Sequence, residues 1–212
     1  MQEAESVFAF TGSILLTNPL LDFETLICLS RRIDGSEPHP YWNWGRKYGL
    51  PVNWASDFRP QNLPHNEHWQ DEILTVPLKP GSGKRGSIFK PPFGRMIQHL
   101  ELHYDADCLL MTYADEEGAF QVYEIGVDGS GLRRITRDTP PDVDNGDACY
   151  LPDGRIVFNS TRGFHAVPCQ DGNSYVSGLC LYDPAQDTTR MLTFDQESNW
   201  HPSMLPDGRV LY

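Results

Sequence analysis

What the chain lacks narrows its class before any motif is read. No hydrophobic run approaches the roughly 20 residues that a membrane-spanning helix needs. No two cysteines stand in Cys-x-x-Cys spacing and no Cys-x-x-Cys-His occurs, so covalent attachment of a c-type haem is excluded. Basic residues are in deficit, 17 Lys and Arg against 29 Asp and Glu, for a formal net charge of −12. An acidic surface repels a phosphate backbone, which sets nucleic acid aside as a partner. The repeats described below show no 3.6-residue apolar period, so a helical solenoid is excluded as well. The N-terminus, Met1-Gln2-Glu3-Ala4-Glu5, is acidic where a secretion signal is basic. Either the chain stays inside the cell or its true beginning precedes Met1. Five cysteines leave at least one thiol without a partner in the chain.

What is present is a repeat. Leu151-Pro152-Asp153-Gly154-Arg155 is followed by the apolar run Ile156-Val157-Phe158, and the unit returns as Leu205-Pro206-Asp207-Gly208-Arg209-Val210-Leu211-Tyr212. Pro suits the second position of a type I turn and Gly the fourth, so each unit reads as a turn feeding a short buried strand. A weaker copy, Tyr104-Asp105-Ala106-Asp107-Cys108 and Leu109–Tyr113, precedes both. Asp105, Asp153 and Asp207 are separated by 48 and 54 residues. Further strands are expected near His99–Tyr104, at Phe120–Ile125 and Leu132–Thr136, and, in the next unit, at Leu179–Tyr182 and Thr189–Thr193. Four short strands per unit at this period define an all-β fold, a partial β-propeller of four-stranded antiparallel blades. A twisted β-sandwich is the alternative. The last copy stops inside its strand, so the chain is expected to be a fragment.

The division that follows places residues 1–94 as strands of a preceding blade with a Trp-rich irregular loop. Residues 95–212 make two near-complete blades and the start of a third. In the first part, Ser13–Thr17, Leu26–Leu29 and Asp71–Leu78 read as strands, with a helical turn at Asp22–Leu26 as an alternative. Lys79–Ser87 and Pro91–Gly94 read as exposed turns; the order of a phosphate-binding loop is missing.

The Pro-Asp-Gly units resemble the WD40-like repeats of TolB-type propellers. A wider set of motifs is more specific. Asp128-Gly-Ser-Gly-Leu-Arg-Arg-Ile-Thr136, Pro141-Asp-Val-Asp-Asn145, Ser160-Thr-Arg162, Val167-Pro-Cys169 and Asn199-Trp-His-Pro202 are similar to the middle-domain family named after the hydrazine synthase alpha subunit. The resemblance implies a propeller within a larger, exported protein, with the remaining blades and flanking domains as partners and a periplasmic or extracellular location; a cytoplasmic one stays open. It also implies association with a multihaem enzyme, although the haem-attaching domain is not in this sequence. Many relatives carry a second Cys directly after the Ser-Thr-Arg motif. Gly163 stands there here, which removes the disulfide partner that the resemblance implies for Cys169.

Candidate ligands cluster in loops. The insertion Gly163–Ser177 carries His165 and Cys169, and the equivalent place in the next unit carries His201. Thiolate and imidazole are soft donors suited to zinc, giving Cys169, His165 and His201 as a candidate metal set. The alternatives are a buried thiol, a hydrogen-bonded loop histidine and a His201 that fastens one blade to the next. Asp138, Asp142, Asp144 and Asp147 offer oxygens for calcium, or else accept backbone hydrogen bonds in Asx-turns. Trp42, Trp44 and Trp54 are the candidate ligand-binding surface for a small molecule or glycan. The leading functional expectation is a non-catalytic binding or scaffold module of a larger protein. The alternative is a component of a metal- or haem-dependent oxidoreductase.

Overall fold

The computed structural model describes residues 18–31, 69–78, 83–166 and 175–212. They form four antiparallel sheets in which strands adjacent in sequence lie side by side. The first sheet joins β1 (Thr25–Ser30), β2 (Glu72–Pro77) and β3 (Gly86–Phe89). The second joins β4 (Ile97–Leu102), β5 (Cys108–Ala114), β6 (Phe120–Gly126) and β7 (Arg133–Arg134). The third joins β8 (Asn145–Tyr150), β9 (Ile156–Ser160), β10 (Gly178–Asp183) and β11 (Thr188–Met191). The last pairs β12 (Ser203–Met204) with β13 (Val210–Leu211). This is a partial, unclosed propeller, and no helix among the described residues is long and apolar enough to cross a membrane.

Period-two alternation explains why the strands read as continuous apolar runs. In β5, Leu109, Met111 and Tyr113 turn toward the first sheet and join Ile73, Ile88 and Ile97 in one core cluster. Leu110, between them, turns the other way and packs with Val122 against Ile156, Phe158, Cys180 and Tyr182 of the third sheet. In β9 the odd residue out is Val157, which joins Cys149, Leu179 and Leu181 on the far face of that sheet. Each central strand is therefore buried on both sides, so both phases of its alternation must be apolar. The two largest core clusters are shared between neighbouring blades, which depend on each other for them.

The Pro-Asp-Gly units form the hairpin turns expected of them. Gly154 N–H donates to the Leu151 carbonyl, and Gly208 N–H to that of Leu205, both at 3.0 Å. Both glycines sit at positive φ, 83° and 86°, the left-handed step that follows a type I turn in such hairpins. Arg155 pairs with Asp153 and Arg209 with Asp207, each at 2.6 Å, across the turn. Gly129 answers a different need. A Cβ there would stand 2.8 Å from the Ile88 carbonyl oxygen, so the β6–β7 turn and the first sheet approach each other through a bare backbone.

A polar clasp repeats between consecutive blades. Thr136 Oγ1 accepts from Val122 N–H and donates to Gln121 Oε1 at 2.7 Å, and Asn145 Nδ2 donates to the same oxygen at 2.8 Å. Gln121 Nε2 in turn donates to the Val143 carbonyl at 3.0 Å. In the next unit Leu179 N–H donates to Thr193 Oγ1, and Thr193 donates directly to Asn199 Oδ1. Thr136 and Asn145 are nine residues apart and Thr193 and Asn199 six. The longer loop opens a gap that the Gln121 amide fills, and Gly178 occupies the equivalent place where no gap exists. Asp144 belongs to the same seam: its carboxylate accepts from Phe120 N–H at 2.8 Å.

Some expectations need correction. Thr25 begins a strand, so no helical turn runs through Leu26. Gly86–Phe89 is a strand that pairs with β2; its small, polar first half hid it. Pro92–Gly94 is a single 3-10 turn, and the outer strand expected over Leu132–Thr136 shrinks to Arg133–Arg134 because Thr136 turns inward to the clasp. The strand expected at Ser13–Thr17 and nearly all the Trp-rich loop lie outside the described residues. Of that loop, Trp69 is buried against Met96, Ala114 and Phe120. The Arg31 guanidinium lies 5.3 Å from the Trp69 ring centre and also holds the buried Asp71 carboxylate at 3.0 Å.

Candidate metal-binding site on the β4–β5 hairpin

Among the described residues, three hairpins link the first two strands of successive blades, and one of them departs from the Pro-Asp-Gly pattern. The β4–β5 turn has His103 where the others have Leu151 and Leu205, and one residue more before its second strand resumes pairing. Ala106 takes the left-handed place of the glycines, at φ 55°, with its N–H bonded to the His103 carbonyl at 2.9 Å. The Asp–Arg pair that braces the other turns is absent, and Asp107 and Cys108 stand there instead.

His103, Asp107 and Cys108 each offer one ligand atom, and these atoms all lie within 4.8 Å of one another. His103 Nδ1 is 3.2 Å from Asp107 Oδ1 and 3.8 Å from Asp105 Oδ2. The Cys108 thiol lies 3.5 Å from the Tyr150 hydroxyl of the next blade, and the Tyr150 ring meets the His103 ring edge-on at 4.7 Å. Tyr104 donates to the Tyr150 carbonyl at 3.0 Å, tying the turn to the same neighbour. A hydrogen bond from the thiol, with a smaller contribution from His103, holds the Asp107 carboxyl below the usual carboxylate range. Burial pushes the Cys108 thiol up, against a lowering hydrogen bond from Tyr150. Thiolate, imidazole and carboxylate together form a donor set for zinc or another first-row transition metal.

His103, alone of the three, lines a cleft of about 830 Å³ between the three equivalent turns. His103, Tyr104 and Asp105 form one wall, Leu151 and Pro152 another, and Met204, Leu205 and Pro206 a third. A second cleft, of about 540 Å³, lies beside Tyr113, Tyr123 and Arg134. The two tyrosine rings stack at 4.1 Å and Arg134 is paired with Asp115 at 3.3 Å.

Of the residues singled out from the sequence, Cys169, Trp42, Trp44 and Trp54 lie outside the described residues. His165 is exposed, and its carbonyl accepts from Val176 N–H at 2.7 Å. His201 reaches the preceding blade, with Nδ1 3.4 Å from Asp147 Oδ1. Asp138 and Asp142 are exposed, whereas Asp144 and Asp147 are buried. Sequence reasoning missed His103, Asp107 and Cys108. Their signal was the imperfection of the first turn copy, where a histidine and a cysteine replace a structural leucine and arginine.

The sheets and hairpin thus define a class: an all-β chain of propeller blades that carries a cluster of side chains able to hold a metal ion. No family model matches the sequence, and no curated protein sequence matches it. Solved structures do match in fold. A chain of hydrazine synthase from Kuenenia stuttgartiensis aligns over 88% of this chain and 27% of its own, at 15% identity and a TM-score of 0.58. TolB from Acinetobacter baumannii aligns over 66% of this chain and 30% of its own, at 21% identity and a TM-score of 0.48. The present chain therefore spans less than a third of either solved chain. At these identities the likeness is one of fold.

Proposed function

We propose that this chain is a metal-binding propeller module that works as a component of a larger metal-dependent oxidoreductase. One observation carries the reading: the convergence of His103, Asp107 and Cys108 within 4.8 Å, with His103 in the wall of a cleft built from three blades. A bare scaffold has no need for a soft donor set at the one hairpin that abandons the Pro-Asp-Gly brace. The hydrazine synthase likeness provides an enzyme that carries this fold, while the metal reading rests on the hairpin alone. The cleft, with polar groups on one wall and Leu151, Pro152, Met204 and Leu205 on the others, fits a small organic molecule beside the metal. The remaining blades and flanking domains are its partners in this reading, and a periplasmic or extracellular setting remains its proposed location.

Elemental analysis of the purified, untagged protein tests it. The expected result is a transition metal whose retention falls in Cys108→Ser and in His103→Ala. Binding must also displace the thiol proton, so affinity rises with pH. Retention unchanged in both variants overturns the proposal.

A further inference from the structure

A second constellation lies in the first halves of β4 and β8 and just before β12, at the end remote from the hairpin turns. His99 and Asp147 are 48 residues apart and Asp147 and His201 54, the spacings that also separate Asp105, Asp153 and Asp207. The three side chains therefore occupy one position of the repeat. The strand is irregular at that position in two copies, with pairing that slips between Ile97 and His99 in β4 and between Gly146 and Cys149 in β8. Asp147 and His201 both hold positive φ, 46° and 42°, which is uncommon for residues other than glycine. The result is that residues from three blades face one another. His201 Nδ1 is 3.4 Å from Asp147 Oδ1, and the His99 and His201 ring centres are 6.3 Å apart.

The polar accounting is incomplete without a further group. Asp147 is fully buried, and Asn159 Nδ2 donates to its Oδ2 at 3.2 Å. Its Oδ1 accepts no hydrogen bond, and the buried His99 Nδ1 has none either. Buried polar atoms left unmet are costly, and two such atoms from neighbouring blades, beside His201, point to a ligand.

We propose that His99, Asp147 and His201 form a two-histidine, one-carboxylate site for a divalent first-row transition metal, separate from the hairpin cluster. Metal–nitrogen bonds of about 2.0–2.1 Å put the centres of two ligating imidazoles roughly 5–6 Å apart. The three donor atoms do not all lie within 4.8 Å of one another, so binding draws His99 toward the Asp147–His201 pair. Imidazole donors select such metals over calcium or magnesium. Asn159 is the positioning residue that turns Asp147 Oδ1 toward the histidines. The His201 side chain is 59% exposed, which leaves the open coordination positions facing solvent.

Cobalt(II) titration of the purified whole chain tests this. Hairpin binding produces thiolate-to-cobalt charge transfer, whereas this site has only nitrogen and oxygen donors and produces weak ligand-field bands alone. In Cys108→Ser the charge-transfer band disappears and one equivalent of cobalt still binds. On that background the isosteric Asp147→Asn weakens binding about a hundredfold or more, as does His201→Ala at a half-exposed side chain that the fold does not need. Asn159→Ala weakens it about 10- to 100-fold. Cobalt binding by Cys108→Ser that is indifferent to both Asp147→Asn and His201→Ala, or no binding by Cys108→Ser at all, overturns the proposal. A missing charge-transfer band in the unaltered chain would instead count against the hairpin site and leave this one standing.

Discussion

Gln121→Leu is the sharpest test of how the blades are held together. Gln121 is fully buried and bridges three groups: the Thr136 hydroxyl, the Asn145 amide and the Val143 carbonyl. Leucine has nearly the same volume, so no large cavity opens, but it accepts and donates nothing. Each buried group left without its partner costs about 1–3 kcal/mol. Thr136 keeps its bond from Val122 N–H, and Asn145 keeps a longer one to Thr139 at 3.3 Å, which holds their losses near the lower end. The added apolar burial of leucine offsets about 1 kcal/mol. A net loss of about 3 kcal/mol follows, a large fraction of the 5–15 kcal/mol typical of a folded domain. With a urea m-value of about 2 kcal/mol/M, the midpoint drops by roughly 1.5 M. Because Gln121 and Asn145 share one network, the double variant with Asn145→Leu should lose less than the sum of the two single losses. A midpoint drop below about 0.3 M at unchanged m would refute the clasp as a source of stability.

Other expected outcomes follow from the same packing. Phe158→Ala empties the core between the second and third sheets and should cost about 3–5 kcal/mol in urea unfolding; a loss under about 1 kcal/mol would mean that the sheets do not share that core. Gly129→Ala combines left-handed backbone strain with a Cβ 2.8 Å from the Ile88 carbonyl oxygen, and a loss of about 2–4 kcal/mol in the same assay is expected. Burial pushes the Cys149 thiol up to about 12 and that of Cys180 to about 11. A raised thiol pKa lowers the thiolate fraction at every pH below it. Near pH 8 roughly one Cys149 in ten thousand is therefore thiolate, against about one in four for an ordinary thiol. Iodoacetamide should label the folded chain at Cys28 and Cys108 long before Cys149, with each rate rising as pH rises; equal rates at Cys108 and Cys149 would contradict the burial.

The sequence by itself determined the blade. A turn needs Pro and Gly at fixed places, and a strand buried on both faces needs an unbroken apolar run, so Leu151–Phe158 and its copy at Leu205–Tyr212 announce their structure locally. Period and strand order then follow from the spacing. The short, polar elements were decided elsewhere: β3 exists because β2 offers it a partner, and Arg133–Arg134 ends early because Thr136 is drawn into a clasp with the next blade. The candidate sites were less legible still. His103, Asp107 and Cys108 lie within one turn, yet only its left-handed fold and the neighbouring Tyr150 show them converging. His99, Asp147 and His201 share a repeat position that the spacing alone contains. Only the stacking of three blades shows that these side chains meet, because contacts across blades are set by packing and leave no local trace in the chain.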